Sequence, residues 1–249
     1  MARRIRWFHF GVAALILVSF SPRAIAGPPF FTDDPVPVEL KHWEIYFASE
    51  YIRTADNRSG TAPFIDANYG AYSNLHVHVG LPAAFNRPAG GPTTYGYGDT
   101  ELGVKFRFIQ ETDFCPQMAI YPTAEVPTGD SDRGLGNGKT QAYLPVWLQK
   151  SWGPWTTFGG GGYWFNPGEG HKNWVYAGWV LQRDLSKTLT LGAELYHRTP
   201  DVVGGDSGTG FMGGGQVNFG EHYHLLLAMG KDFSGPDLFT QYLALQWTF

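Results

Sequence analysis

The most regular feature of the chain is an alternation of apolar and polar residues with a period of two. It is clearest between residues 75 and 81, where Leu75 and Val77 alternate with His76 and His78. Successive side chains of a β-strand point to opposite faces of a sheet, so this period is that of a strand. The pattern therefore predicts strands with one apolar face and one polar face.

Segments of this kind recur along the whole chain after residue 42, and their lengths are near the roughly 9–11 residues of a tilted membrane strand. We count twelve of them. Four alternate weakly, so the count is good to within two. The segments lie at residues 43–50, 64–69, 75–81, 101–108, 118–126, 141–149, 155–165, 174–182, 189–196, 210–219, 223–230 and 237–249.

The last segment determines how the sheet ends. Leu243, Leu245, Trp247 and Phe249 share an apolar face, and the residues between them form a mixed, mostly polar face. A terminal strand with a free edge invites aggregation, and pairing it with the first strand removes that edge. We therefore predict an all-β fold: a closed antiparallel transmembrane β-barrel of about 12 strands.

The connections between the segments alternate in length. The longer set is rich in Gly, Pro, Asn and Asp and comprises residues 53–61, 82–95, 127–139, 166–173, 198–209 and 231–237. The shorter set comprises residues 70–73, 109–115, 150–154, 183–187 and 220–222. Bacterial barrels have short periplasmic turns and longer outer loops. The alternation thus predicts both chain ends on the periplasmic side.

The first 26 residues have the features of a secretory signal peptide. Arg3, Arg4 and Arg6 precede an apolar run over residues 8–20, and the stretch ends in Ala24-Ile25-Ala26. A membrane anchor is the alternative. The apolar run is shorter than the roughly 20 residues of a spanning helix, so we expect cleavage after Ala26.

Residues 27–40 should form an irregular N-terminal segment, either periplasmic or folded into the mouth of the barrel. Four prolines within residues 28–37 exclude a central strand. Asp33 and Asp34 precede one of these prolines, which favours a turn or cap role over a paired-carboxylate site. Residues 41–249 then form the barrel.

Charge and composition exclude some functions. Removing residues 1–26 takes away four of the 18 basic residues and none of the 22 acidic ones, leaving 14 against 22. This balance does not favour nucleic acid as a partner. The 33 glycines and the 16% of aromatic residues suit a barrel with close strand packing and interfacial aromatic belts.

The polar face of the strands carries the residues that we expect to line the lumen. A base facing lipid at the membrane midplane costs about 2–4 kcal/mol, which forces these charges inward. Inside, they either select permeants or form an ion-pair network that fills the lumen. They are Glu44, Glu50, Asp66, His76, His78, Glu101, Lys105, Arg107, Glu125, Glu194, Tyr196, His224 and Tyr242.

Two histidine pairs have a spacing that suits metal binding. His76 and His78 share one strand face, as do His222 and His224. Two imidazoles can chelate Zn or Cu, but the sequence identifies no third ligand. We therefore expect the inward-facing histidines to line the lumen and predict no metal site and no cofactor.

Two short motifs give a resemblance to a known family. The stretch GYGDTELGVK at residues 96–105 resembles the entry to a strand in the outer-membrane transporter family named for the meta-pathway of phenol degradation. The stretch PTGD at residues 127–130 and the aromatic end are similar to that family too. The resemblance covers residues 64–249. It implies a Gram-negative β-barrel that moves aromatic or other apolar compounds.

The terminal Phe249 resembles the signal by which the bacterial outer-membrane assembly machinery recognises its clients. We therefore expect the protein to reside in the cell outer membrane, with outer-membrane lipid, this machinery and a small-molecule permeant as partners.

The function that we predict is a porin-like channel for passive uptake of small molecules, with aromatic or apolar compounds as the implied class. No nucleotide-binding or energy-coupling segment is readable, and no catalytic residue is predicted. A structural or adhesive barrel, a soluble exported β-sandwich and a lipid-modifying enzyme are the alternatives. Such an enzyme needs a serine beside a histidine, and the outer loops hold Ser131, Ser207 and His171.

Overall fold

The computed structural model describes residues 29–249, so the predicted signal peptide at residues 1–26 lies outside the described residues. Residues 29–249 form twelve antiparallel strands in one sheet. These are β1 Trp43–Arg53, β2 Asn57–Tyr72, β3 Leu75–Pro88, β4 Thr94–Tyr97 with Thr100–Ile109, β5 Gln117–Ile120 with Thr123–Val126, β6 Gln141–Trp152, β7 Trp155–Phe165, β8 Trp174–Asp184, β9 Leu189–Arg198, β10 Gly208–Phe219, β11 Tyr223–Ser234 and β12 Phe239–Thr248.

The sheet closes where the last strand meets the first. β12 pairs with β1 in antiparallel register from Thr248 opposite Glu44 to Phe239 opposite Arg53. Phe249 extends this seam, because its N–H donates to the carbonyl of Trp43 at 3.0 Å. The predictions of a closed antiparallel barrel and of twelve strands are confirmed.

The strands begin and end close to the predicted segments except around β2 and β3. Residues 53–61 and 82–95 were expected to be loops, and this expectation is wrong. β2 and β3 continue to pair as far as Asn57 opposite Pro88. Turn-forming residues are tolerated there because register shifts near Pro63 absorb the irregularity. The connections that remain are residues 54–56 and 89–93.

The two rims of the barrel differ in their connections. The loop rim carries residues 54–56, 89–93, 127–140, 166–173, 199–207 and 235–238. The chain-end rim carries the start of β1, the end of β12 and the turns at residues 73–74, 110–116, 153–154, 185–188 and 220–222. The alternation in length is real but imperfect, since 110–116 is longer than 54–56.

The outer face of the barrel is a continuous apolar surface. Large apolar side chains stand exposed at every second position, as on β11, where Leu225, Leu227 and Met229 alternate with buried Leu226 and Ala228. The other strands show the same alternation. The exposed apolar side chains on them include Phe47, Val77, Leu102, Val104, Phe106, Leu144, Val146, Trp179, Leu181, Leu191, Leu195, Phe211, Leu243 and Leu245.

Exposed aromatic residues cluster near both rims, where the amphipathic rings of Trp and Tyr suit the membrane interfaces. The chain-end rim carries Trp43, Tyr72, Trp152, Phe219, Tyr223 and Phe249. The loop rim carries Tyr95, Tyr97, Tyr163, Phe165 and Phe233. An apolar band between two aromatic belts is the surface of a membrane barrel. Separately, the residues described by the structure include no helix that is long and apolar enough to cross a membrane.

The two motifs that carried the family resemblance meet at the loop rim. The Asp99 carboxylate accepts a hydrogen bond from the Gly129 N–H at 2.9 Å, and the Thr128 hydroxyl donates to the Gly98 carbonyl at 2.9 Å. A side chain at residue 129 would collide with the Leu135 carbonyl, because its Cβ would lie 2.4 Å away. The motifs thus form one structural unit that fastens the 127–140 loop to β4.

Candidate functional site

The interior of the barrel contains the first described part of the chain. Residues 29–42, which we call the N-terminal segment, precede β1 and have no strand structure. They enter at the chain-end rim and run into the lumen, where Thr32 and Asp34 are almost completely buried. Of the two placements left open by the sequence, the segment takes the one inside the barrel.

The segment is fixed at the chain-end rim by the backbone of β2. The N–H of Lys41 donates to the Gly70 carbonyl at 2.7 Å, and the Gly70 N–H donates to the His42 carbonyl at 3.0 Å. Gly70 is required here because a Cβ would lie 1.9 Å from the Glu39 carbonyl oxygen. Deeper in the lumen, the Val38 N–H donates to His76 Nδ1 at 3.1 Å.

A partly buried ion pair holds the middle of the segment. The Lys105 Nζ lies 3.0 Å from both carboxylate oxygens of Asp33 and 4.9 Å from the centre of the Tyr121 ring. Lys105 is almost fully buried, so removing Asp33 would leave its charge without this partner in the lumen. The contact therefore restrains the segment against β4.

Asp34 follows this pair and lies outside the spanning strands. Its carboxylate accepts the Val36 N–H at 2.5 Å, which is the turn role predicted from the sequence. Burial raises the pKa of the Asp34 carboxyl from 3.8 to about 8, while the nearby Lys105 cation acts in the opposite direction. Seating the segment thus favours the protonated form of Asp34.

The first residues of the N-terminal segment contact the opposite wall of the barrel, at β8 and β9. The Glu194 carboxylate accepts the N–H groups of Phe31 and Thr32 at 3.0 and 2.8 Å and the Thr32 hydroxyl at 2.6 Å. The Tyr176 hydroxyl donates a fourth hydrogen bond at 2.6 Å. Glu194 is only 2% exposed, so these four bonds satisfy a deeply buried carboxylate.

The lumen has two chemically different walls. The wall of β6–β10 is aromatic and apolar, with Phe30 of the segment packed among Trp147, Phe158, Tyr176, Val180, Tyr196 and Met212. The wall of β1–β4 is acidic. There, His78 Nδ1 lies 3.0 Å from Asp66 and its Nε2 lies 3.4 Å from Glu101. The Tyr46 hydroxyl donates to Glu44 at 2.5 Å.

A cavity of about 1280 Å³ lies between the segment and these walls. It opens at the chain-end rim, since Ser73, Gly153, His222 and Phe249 line it, and it reaches as deep as Phe30. The acidic side chains in its lining are Asp33, Asp34, Glu39, Glu44, Asp66, Glu101, Glu111, Asp184 and Glu221; the permanent cations in it are Lys105 and Arg107.

Some polar atoms of the lining have no hydrogen-bond partner in the described part of the chain. His76 is 3% exposed; its Nδ1 accepts from the Val38 N–H, and its Nε2 has no partner. Gln149 is 4% exposed, and its Oε1 is free. Both atoms have almost no accessible surface, so a solute in the cavity reaches them only if neighbouring side chains move.

The residues predicted to line the lumen fall into three groups. Those that line the cavity are Glu44, Asp66, His76, His78, Glu101, Lys105 and Arg107. Glu194 and Tyr196 instead contact the N-terminal segment. The others lie elsewhere on the strands: Glu50 on β1, Glu125 on β5, His224 on β11 and Tyr242 on β12.

The histidine pairs do not converge on a metal site. His76 and His78 contact Val38, Asp66 and Glu101, and the His224 ring bonds Asn218 at 2.7 Å. Within residues 29–249 no group of three or more His, Cys, Asp or Glu side chains is arranged to hold a metal ion.

The enzyme alternative needs a serine hydroxyl on a histidine ring. Ser131 lies in a short 3-10 helix, and His171 forms an isolated bridge with Val202. Among the described residues no hydrogen bond joins a serine hydroxyl to a histidine ring, and the rings of His197 and His222 bond Thr209 and the Thr248 carbonyl.

Sequence reasoning missed the residues that the segment brings to the site. In the sequence, Phe30, Phe31 and Thr32 belong only to a predicted irregular segment, and the strand pattern at residues 174–182 does not single out Gly178. The adjacent aromatic residues Phe30 and Phe31 were a signal, because large apolar side chains favour burial. Nothing local indicated that Glu194, more than 160 residues away, would bind them.

No family model matches the chain, and no curated protein matches it. Among solved structures, an outer-membrane channel from Pseudomonas putida F1 is similar with a TM-score of 0.68 and 17% identity, over 89% of this chain and 99% of that one. The translocator domain of the autotransporter NalP from Neisseria meningitidis is similar with a TM-score of 0.53 and 12% identity, over 84% and 88%.

These structural similarities establish the fold, but they do not identify a transported solute. Neither match is named for phenol degradation, so that part of the family resemblance stays a prediction. The apolar belt, the closed ring of strands and the shared architecture agree with the predicted location. The chain is an outer-membrane β-barrel.

Proposed function

We propose that this barrel is a passive channel for small molecules, closed at rest by its own N-terminal segment. The observation that carries the proposal is the cavity of about 1280 Å³, which opens at one rim and reaches the segment at Phe30. A barrel that served only as a structural element would gain nothing from a polar, water-accessible cavity of this size. Permeation then requires that residues near Thr32 leave the β8–β9 wall.

The contacts of the segment suit a reversible closure. Its anchors are a few hydrogen bonds and one ion pair, whereas the strands of the wall are joined by continuous backbone ladders. The segment can therefore detach without opening the barrel. The excess of carboxylates over cations in the cavity favours cationic or neutral solutes over anions.

A reversible cross-link between the N-terminal segment and the barrel wall tests the proposal. In a Cys115→Ser background, Asp33→Cys and Lys105→Cys replace the two partners of the ion pair by thiols, which a short bis-methanethiosulfonate joins through two disulfides. We expect the cross-linked double variant to show no conductance in planar bilayers or solute flux in proteoliposomes, and reduction to restore both. The two single-cysteine variants, treated with the same reagent, cannot be cross-linked and are the matched controls.

Two results would contradict the proposal. Equal flux through the cross-linked and the reduced double variant would show that the segment does not close the channel. Flux no greater than that of empty vesicles, for the wild type and for the reduced variant alike, would remove the channel function and favour a structural barrel.

A further inference from the structure

The contact between the segment and Glu194 has the form of a ligand in a binding site. Three of the four donors to this buried carboxylate come from the segment, namely two N–H groups and the Thr32 hydroxyl. The fourth comes from Tyr176, whose hydroxyl also lies 3.1 Å from that of Thr32. Most of the donors are thus supplied by groups that leave when the channel opens.

The wall around Glu194 is shaped for these residues. A Cβ on Gly178 would lie 2.0 Å from the Thr32 hydroxyl oxygen, and one on Gly192 would lie 3.2 Å from the Phe30 ring. The Phe31 ring meets Tyr196 edge-on with centroids 5.2 Å apart. The wall therefore combines a buried carboxylate with places for aromatic rings.

The segment satisfies the hydrogen bonds of Glu194 but brings no positive charge to it. The four donors are backbone N–H groups and hydroxyl groups, and all of them are neutral. An ammonium group has three N–H donors, as many as the segment supplies, and adds a positive charge. The ammonium group of a solute can therefore replace the three hydrogen bonds that the segment donates to Glu194.

The route to this wall also favours cations. Besides Asp34, whose protonated form is favoured, the cavity that reaches Phe30 is lined by eight carboxylate side chains and by the permanent cations Lys105 and Arg107. Clefts lined by one sign of charge concentrate solutes of the opposite sign. The space for aromatic rings beside Glu194 and the acidic lining of the cavity are independent observations, and both indicate an aromatic cation.

From these contacts we infer that the Glu194 wall is a binding site for small aromatic cations, meaning an aromatic ring that carries an ammonium group. The Phe30–Thr32 stretch occupies this site as an internal substitute, and the permeant displaces it. The inference rests on the proposed channel function and names the class of its permeant.

The displacement can be followed on the full chain. In a Cys115→Ser background, Thr32→Cys places a buried thiol in the site, and its rate of reaction with a maleimide reports release of the segment. The probes are 2-phenylethylamine, phenylacetate with the same ring and an opposite charge, and ethylamine with the ammonium alone. We expect 2-phenylethylamine to raise the labelling rate at least tenfold and the other two to leave it within twofold.

Two variants show whether Glu194 binds the cation. Glu194→Gln should abolish the response to 2-phenylethylamine, whereas Glu169→Gln, in an outer loop, should keep it. Equilibrium dialysis of radiolabelled 2-phenylethylamine against the unaltered chain provides a second measurement that does not depend on the cysteine. We expect saturable binding to the unaltered chain and its loss in Glu194→Gln.

The outcomes separate this inference from the channel function. An equal response to phenylacetate or to ethylamine, or no saturable binding of 2-phenylethylamine, would overturn the aromatic-cation site even if the barrel conducts. Displacement and binding that depend on Glu194, in a barrel without measurable flux, would support the site and defeat the channel proposal.

Discussion

At the scale of single residues, Gly178 decides how closely the N-terminal segment approaches the wall. Its missing side chain leaves room for Thr32, while its backbone pairs normally with Gly160 and Tyr196 on the neighbouring strands. Glycine weakens a strand, so its presence in the middle of β8 indicates a close approach by another part of the chain. Here the approaching part is the segment.

We therefore expect Gly178→Ala to release the segment and leave the barrel intact. The added Cβ would lie 2.0 Å from the Thr32 hydroxyl oxygen and 2.6 Å from that of Tyr176, and the segment is the part that can move. Single-channel conductance should show a higher open fraction. Gly213→Ala is the control, since its Cβ would meet nothing within 4 Å. Equal open fractions in the two variants would contradict this account.

Asp34 makes the closure depend on pH. Its pKa is about 8 with the segment seated and returns towards 3.8 when the segment is released. Between about pH 4 and pH 8 Asp34 is protonated when the segment is seated and ionised when it is released. The equilibrium constant for seating is therefore largest below about pH 4 and falls by up to about tenfold per pH unit until about pH 8. The charges beside it are Lys105, Asp33 and Glu44.

We expect the open fraction, measured by bilayer conductance, to rise between about pH 5 and pH 8. Asp34→Asn cannot ionise, and it should flatten this rise while keeping the segment seated. A slope of the opposite sign in the wild type, or an unchanged slope in Asp34→Asn, would show that another group controls the closure.

At the scale of elements, the seam between β1 and β12 is what makes the barrel closed. Phe249 completes it: its backbone pairs with Trp43, and its ring centre lies 4.2 Å from that of Trp247. The same residue resembles the signal that the assembly machinery recognises. We propose that both the seam and recognition by the assembly machinery depend on Phe249.

Phe249→Ala should lower the yield of assembled barrel in the outer membrane, and Phe249→Tyr should keep most of it, because an aromatic ring is retained. The measurement is the fraction of chain in outer-membrane preparations that migrates in the compact form on unheated gels. Purified chain refolded into detergent is the control for stability. A defect of equal size there would assign the effect to the seam and not to recognition by the machinery.

At the scale of the whole molecule, the outer surface meets lipid and the inner surface meets the segment and the cavity. Leu227 faces outward on β11 and is 41% exposed. We expect Leu227→Arg to destabilise the barrel in bilayers by about 2–4 kcal/mol, since a base at the membrane midplane is poorly solvated. Urea unfolding in lipid vesicles measures this difference.

Glu169→Arg introduces the same side chain in an exposed loop and should change the stability by less than about 0.5 kcal/mol. A Leu227→Arg barrel as stable as this control would mean that the β11 face does not contact acyl chains.

Much of the architecture can be predicted from the sequence because a strand pattern of period two is local. In each strand the alternate apolar residues identify the face that contacts lipid, as Leu75 and Val77 do on β3. The apolar strand at the C-terminus indicates that the sheet closes. The prediction fails for residues 53–61 and 82–95, because turn-forming residues indicate a loop only when no partner strand continues beside them.

The sequence by itself determined the closed barrel and, to within two, its number of strands, because a lipid-facing strand needs one apolar face and this pattern is local. The tertiary structure alone decided what fills the lumen. Glu194 meets Phe31 and Thr32 only because the chain folds back into its own barrel, and Asp33 finds Lys105 for the same reason. Contacts between residues so far apart in sequence depend on the closed shape, which no local pattern encodes.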